Sequence, residues 1–345
     1  MRPVALDAMG GDHAPDATVA GAVRAARDCG ARVLLVGHSR ELKKALEQHK
    51  PLPGRVEIVH AETMIGMGES PGPALLRKRD SSIMVAMDLV REGRASGVVS
   101  AGNSGAVMGA ATVRLGLLPG VERPAIALLL PNRGSGVVML DCGAVVDCRP
   151  GHLRDFAQMG SLYARCLLHL DRPRVGLLSV GTERAKGNAV TKKAYSLLEK
   201  LPINFVGNVE GQQIAQGEVD VVVCDGFVGN ALLKATEGYA ELFWNMLKER
   251  LAAGWRERLA GWLARPALRS VAGRIHYASY GGALLVGVKG ICIIGHGRST
   301  PAAVSSALRV AGELADQAVV EQLIDSFRRT ETPAVETAVG QDLDS

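Results

Sequence analysis

The sequence predicts an α/β protein built on a mainly parallel β-sheet with helices on both faces. Three observations carry that reading. Short runs that are apolar on consecutive residues recur along the chain, helical patterns separate them, and glycine-rich polar loops follow many of the runs. A strand buried on both faces has no polar side to show, so it reads as a continuous apolar run. Intervening helices supply the crossovers that parallel strands require.

Strands are expected at 3–8, 32–36, 56–60, 97–100, 125–130, 137–141, 174–179, 205–209, 219–224 and 283–288. Segments 17–28, 39–49, 81–92, 153–170 and 189–201 show the 3.6-residue periodicity of amphipathic helices. A long helical stretch covers 229–275, with Pro266 expected to break it, and a last helix covers 301–327. Residues 1–330 read as one α/β domain with a helical hairpin insert at about 238–276. Residues 331–345 hold Glu331, Glu336, Asp342 and Asp344 with no basic residue, and are expected to be disordered.

Composition narrows the function classes. Of 345 residues, 47% are hydrophobic and 22% charged, which is globular. The six Cys lack C-x-x-C spacing, so they read as reduced thiols rather than a zinc site. Asp7 interrupts the first apolar run, which argues against a signal peptide. No stretch reaches the ~18 uninterrupted apolar residues of a spanning helix. A cytoplasmic protein is expected.

Polar and glycine-rich clusters follow the expected strands: 7–15, 100–106, 141–144, 179–188 and 225–230, with 280–283 and 296–299 further on. Ligands in open α/β sheets bind beyond the carboxyl ends of strands, and the five clusters are expected to share one edge. Each alone also has a structural reading, as a tight turn or a helix N-cap. Together, with Lys186 adding a full charge, they suit a phosphate or another anion. No G-x-x-x-x-G-K-[ST] or G-x-G-x-x-G occurs at a strand end, so a P-loop and the usual dinucleotide site are unsupported. H-E-x-x-H and G-x-S-x-G are absent too, and Ser104 reads as a phosphate ligand or cap rather than a nucleophile. Lys and Asn donors around an anionic nucleophile would suit acyl transfer, where an oxyanion develops at a carbonyl. His13 and His296 are candidate proton donors or structural residues.

Taken in order, these clusters resemble the PlsX family, the acyl-(acyl-carrier-protein):phosphate acyltransferases of bacterial phospholipid synthesis. The resemblance runs from D-A-M-G-G-D at Asp7 to H-G-R-S ending at Ser299. Between them come Lys78–Ser82, S-A-G-N-S-G-A from Ser100, K-G-N at Lys186–Asn188, Gly207–Gly211, D-G-F-V-G-N at Asp225–Asn230 and Tyr280–Ala283. It implies a Rossmann-like three-layer α/β/α sandwich similar to the isocitrate/isopropylmalate dehydrogenase and phosphate acetyltransferase groups. It also implies a homodimer, no metal or cofactor, and transfer of a long-chain fatty acyl group from the carrier-protein thioester to inorganic phosphate. A downstream glycerol-3-phosphate acyltransferase would use the product. Lys186 and Asn230 fall on the family's catalytic positions. Asp7, Gly10, Gly11, Asn103, Ser104, Glu183, Asn188, Asp225 and His296 would bind substrate or phosphate. The chain departs from the family pattern at Val145, Gln213 and Ile294.

All three Trp lie between residues 244 and 262, and seven basic residues against three acidic ones stand between Glu241 and Ile275. Such a segment suits an anionic bilayer surface, a dimer interface or an acidic carrier protein. The family associates peripherally with membranes through a hairpin here, which implies contact by Trp255, Leu259, Trp262 and Leu263. Two other readings stay open: a short-chain phosphate acyltransferase using acyl-coenzyme A, and a non-enzymatic membrane scaffold for lipid synthesis. Nucleic-acid binding has no supporting motif. The net charge of +5 is thus uneven, with an acidic tail opposing a basic hairpin.

Overall fold

The computed structural model describes residues 2–49, 54–275 and 281–331. Tyr280 and the tail beyond Glu331 lie outside them. The chain begins with β1 (Val4–Asp7), α1 (Asp16–Asp28), β2 (Val33–Gly37), α2 (Ser39–Glu47), β3 (Val56–His60), α3 (Pro71–Arg77), α4 (Ser82–Arg91), β4 (Gly97–Ser100) and α5 (Ser104–Arg114). It continues with β5 (Ala125–Leu130), β6 (Val137–Leu140), α6 (Pro150–Leu168), β7 (Arg174–Leu178), α7 (Ala189–Leu198), β8 (Asn204–Val209), α8 (Gly211–Gln216) and β9 (Val221–Val223). It ends with α9 (Gly226–Ala252), α10 (Trp255–Ile275), β10 (Ala283–Val286), β11 (Ile291–Ile294), α11 (Pro301–Asp316) and α12 (Val319–Glu331).

These strands form one 11-stranded sheet in the order β3-β2-β1-β4-β11-β10-β5-β6-β9-β7-β8. Its faces are buried by alternate residues of the same strands. Val4 and Leu6 of β1, Val138 and Leu140 of β6, and Val221 and Val223 of β9 pack into a core shared with α1, α6 and α11. Ala5 enters a second core with Ile83 and Met87 of α4 and Val107 of α5. Met139 and Val222 enter a third, against Leu232 and Leu233 of α9. This is the expected three-layer α/β/α arrangement, and it explains the continuous apolar runs.

Four details differ from the expectation. β11, a four-residue apolar run between glycines, forms a strand between β4 and β10. α3, α5 and α8 are additional short helices. Pro266 stays inside α10, and the 229–275 stretch breaks instead between Ala252 and Trp255. The last helical stretch divides near Ala318, whose φ of 52° no α-helix accommodates.

α1 packs on α11 through Gly21, where a Cβ would stand 2.5 Å from Val304 Cβ and 3.0 Å from the Pro301 carbonyl. Gly21→Ala should therefore lower stability by about 1–3 kcal/mol through overpacking, against the ~1 kcal/mol helix preference for Ala. Urea denaturation reads this directly, and an unchanged midpoint would show that the two helices separate without cost.

Candidate active site

The strand directions divide the candidate residues into two sets. β3, β2, β1, β4 and β11 run parallel to one another, and so do β6, β9, β7 and β8. Antiparallel pairings of β11 with β10, β10 with β5 and β5 with β6 reverse the direction between the two runs. The carboxyl ends of the two runs are therefore at opposite edges of the sheet. The expectation that five clusters share one edge is not met, because a sequence of strands and loops carries no record of these reversals.

The first set gathers at the ends of β1, β4 and β11. Asp7 is buried, and its Oδ2 accepts from Ser100 Oγ at 2.7 Å. Ser100 Oγ in turn accepts from Gly102 N–H at 3.1 Å. Gly10 lies against this pair, where a Cβ would stand 2.6 Å from Asp7 Oδ2. Gly11 has a φ of +111°, and Asp12 N–H donates to the Gly297 carbonyl at 2.8 Å, which joins the His296 loop to the first loop. Asn103 caps α5 by accepting from Ala106 N–H, and its Nδ2 donates to the carbonyls of Met67 and Glu69. Its amide is thus spent on protein partners. Ser104, the first residue of α5, is exposed.

The second set gathers at the neighbouring ends of β6, β9, β7 and β8. Asp141 is buried and accepts from the N–H groups of Ile126 at 2.9 Å, Ala144 at 3.0 Å and Val145 at 2.6 Å. The Val145 carbonyl accepts from Gly226 N–H at 2.9 Å, which ties this loop to the start of α9. Gly229 has no room for a side chain, since a Cβ would stand 1.9 Å from the Asp141 carbonyl. Asn230 follows in the first turn of α9 and lies over Gly143, whose φ of +123° keeps that position open. Asp225 caps α9 through Val228 N–H, and Asn188 caps α7 through Val190 and Thr191 N–H. Between them, Lys186 and Glu183 are exposed on the loop after β7. Among the described residues Lys186 makes no ion pair. β7 and β9 are adjacent, so Lys186 and Asn230 are carried on segments that follow neighbouring strand ends.

Sequence reasoning passed over several supporting residues. Asn208 is buried and its Nδ2 donates to the Glu183 carbonyl at 2.8 Å, fixing the loop that carries Lys186. Its place in G-N-V-E-G was the signal. Asp141, visible as a break after an apolar run, organises the loop behind Asn230. The departures from the family pattern also find local explanations. Val145 works through its backbone, Gln213 closes a capping box with Glu210, and Ile294 is buried in β11. No described group of three His, Cys, Asp or Glu could hold a metal ion.

Burial raises the Asp7 carboxyl above its ordinary 3.8, against hydrogen bonds from Ser82, Ser100 and the backbone of Met9 and Gly10 that lower it. A carboxyl whose folded value exceeds its unfolded one adds stability in acid. That stability is complete below the unfolded value and is lost as pH rises through the folded value. Asp7→Asn does not ionise, so it should gain stability relative to the wild type between about pH 4 and about pH 7. Denaturant midpoints at the two pH values test this, and a constant or reversed gap would refute it.

The sequence pattern of the fatty acid synthesis protein family matches residues 2–322. The chain is 49% identical to a phosphate acyltransferase of Thermosynechococcus vestitus, across 93% of this chain and 94% of that protein. It is 47% identical to a phosphate acyltransferase of Pelotomaculum thermopropionicum, across 99% of both. A phosphotransacetylase from Streptococcus pyogenes shares the fold, with a TM-score of 0.62 at 16% identity over 92% of this chain and 94% of that one. The chain therefore belongs to the fatty acid synthesis protein family, and its relatives at 47–49% identity are named phosphate acyltransferases.

Proposed function

We propose that the chain transfers a long-chain fatty acyl group from an acyl-carrier-protein thioester to inorganic phosphate, with Lys186 and Asn230 as the catalytic residues. What supports this reading is an exposed ammonium with no ion pair among the described residues and an exposed amide, carried on the segments that follow adjacent strands β7 and β9. Phosphate is itself the nucleophile, so the protein has to hold an anion against a carbonyl rather than supply an activated side chain. Lys186 holds phosphate and offsets the negative charge that grows as its oxygen attacks the thioester carbon. The Asn230 amide donates to the oxyanion of the tetrahedral intermediate. When the intermediate collapses, the new C–O bond stays and the C–S bond breaks. The proton from hydrogen phosphate goes to the departing thiolate, giving acyl phosphate and free thiol.

Glu183, Asn188 and Asp225 shape this set, two of them as helix caps. Asp7, Gly10, Gly11, Asn103, Ser104 and His296 belong to the other strand-end set, where their role in substrate binding rests on the family resemblance. A homodimer, and delivery of the product to a glycerol-3-phosphate acyltransferase, rest on that resemblance too.

α9 links the site to the hairpin. Its 27 residues span about 40 Å at 1.5 Å per residue, from Asn230 toward the Trp-bearing turn. Trp255, Leu259, Trp262 and Leu263 are all more than half exposed, as are Leu242, Phe243 and Met246 of α9. No described helix is long and apolar enough to cross a membrane. Exposed Trp and Leu beside Arg256, Arg258 and Arg265 support peripheral contact with an anionic bilayer.

Lys186→Ala should cut phosphate-dependent acyl phosphate formation by about 10²–10³-fold, and Asn230→Ala by about 10²-fold. Both residues are exposed, so the fold should persist in circular dichroism. Near-normal turnover by Lys186→Ala would overturn the mechanism, and a preference for acetyl-coenzyme A over long acyl-carrier-protein thioesters would favour the short-chain reading. Leu259→Glu with Trp262→Glu should abolish sedimentation with anionic liposomes while soluble turnover is kept. Undiminished sedimentation would remove the hairpin from membrane binding.

A further inference from the structure

A cavity of about 490 Å3 opens beside the loop that backs Asn230. It forms where the segment before β5, the loop after β6 and the start of α6 meet. Ala144, Val145 and Val146 give it an apolar strip, and Arg123 and Arg149 flank that strip. His152 is almost fully buried at the cavity wall. Its Nδ1 accepts from Arg149 N–H at 3.2 Å, so Nε2 carries the proton and donates to Glu122 Oε2 at 3.1 Å. This bond holds Glu122 against α6. Arg123 makes no ion pair among the described residues, and Arg149 approaches Glu122 only at 3.9 Å with its side chain 79% exposed. Two guanidinium groups thus have donors to spare at one cavity.

We propose that this cavity binds the phosphodiester-bearing pantetheine arm through which a thioester is presented, an inference that rests on the placement of acyl transfer at Lys186 and Asn230. The arm is an extended amide chain with a dimethyl branch next to a singly charged phosphodiester. The apolar strip suits the branch, and the paired guanidinium groups suit the diester. Glu122 and Asp147 line the same cavity. Their charges formally offset the two guanidinium groups, so the amide chain and its branch, and not charge alone, set the arm apart from free phosphate. The floor of the cavity is also the right one. Val145 bonds Gly226 through its carbonyl, and Gly143 lies under Asn230, so an arm along 144–146 leads its thiol end toward the amide. Acyl carrier protein and coenzyme A share the phosphopantetheine chain, joined through a diester in the carrier protein and through a diphosphate in coenzyme A, and the measurements below separate them.

The test uses the double variant Arg123→Ala, Arg149→Ala with acyl-phosphopantetheine, acyl-pantetheine, acyl carrier protein and coenzyme A thioesters. KM for acyl-phosphopantetheine should rise about tenfold or more, KM for inorganic phosphate should hold, and the gap between variant and wild type should vanish with acyl-pantetheine, which lacks the phosphate. A matching rise with acyl-carrier-protein thioester assigns the arm to the carrier protein, and one with the coenzyme A thioester assigns it to coenzyme A. A rise confined to the carrier protein would overturn the arm site, since the arginines would then meet the carrier's surface. Equal losses on all thioesters, or no change on any, would overturn it too. Calorimetric titration of 4′-phosphopantetheine into the full chain decides the matter without turnover: wild-type binding weakened at least tenfold in the variant supports the site, and absent or unaltered binding refutes it. A wild-type enzyme that forms no acyl phosphate from any thioester would instead defeat the transfer reading, while the titration still judges the arm site.

Discussion

A carboxylate at the buried end of a strand must have its lone pairs satisfied by hydrogen bonds, or its desolvation would unfold the region around it. Asp141 meets that demand with three backbone N–H groups, from Ile126 on β5 and from Ala144 and Val145 in its own loop. Burial nevertheless raises its pKa. The consequences spread outward. The loop curls tightly enough to present the Val145 carbonyl to Gly226, which starts α9, and the Asp141 carbonyl packs where a Gly229 side chain would be. Asn230 takes its place from that packing. One buried acid therefore sets the register of two strands, the entry angle of the longest helix and the position of the proposed oxyanion donor.

The remaining polar residues divide their work in a way that follows from the same economy of buried donors. Asn103, Asn188 and Asp225 all stand where a strand end passes into a helix, and all three cap the helix that follows. Free backbone N–H groups at a helix start attract such residues whatever the protein does. Lys186 and Asn230 differ. Both side chains are exposed, with no ion pair for Lys186 among the described residues; Asn208 holds the loop that carries Lys186, and Asn230 packs over Gly143. Rigid support with unspent donors is what an anion site requires.

Charge is distributed to a separate end. α9 and α10 leave Leu242, Phe243, Met246, Trp255, Leu259, Trp262 and Leu263 exposed, and their basic residues outnumber the acidic ones between Glu241 and Ile275. Arg256 lies over the Trp255 ring at 5.3 Å. The two helices meet through Gly261, which faces Leu251 closely. Beside that contact Trp255, Leu259, Trp262 and Leu263 stay exposed, an apolar patch next to basic side chains.

Local sequence determined much of this molecule. Strand cores at β1, β2, β4, β6 and β9 read as continuous apolar runs because both faces of each strand are buried, and the glycine-bearing loops after them mark strand ends because only there is the backbone free to turn. The ordered motifs from Asp7 to Ser299 pointed to the family and to Lys186 and Asn230. The sequence was silent on β11, a four-residue run too short for periodicity to separate from a loop, and it misled at Pro266, where a break was expected and α10 continues. Above all, only tertiary structure decided which loops meet. Strand direction is a property of pairing between segments far apart in the chain, so the reversal through β10, β5 and β6 is invisible locally. It separates Asp7, Asn103 and His296 from Lys186 and Asn230, and it brings Arg123, Arg149 and Val145 to one cavity on the loop that packs against Asn230.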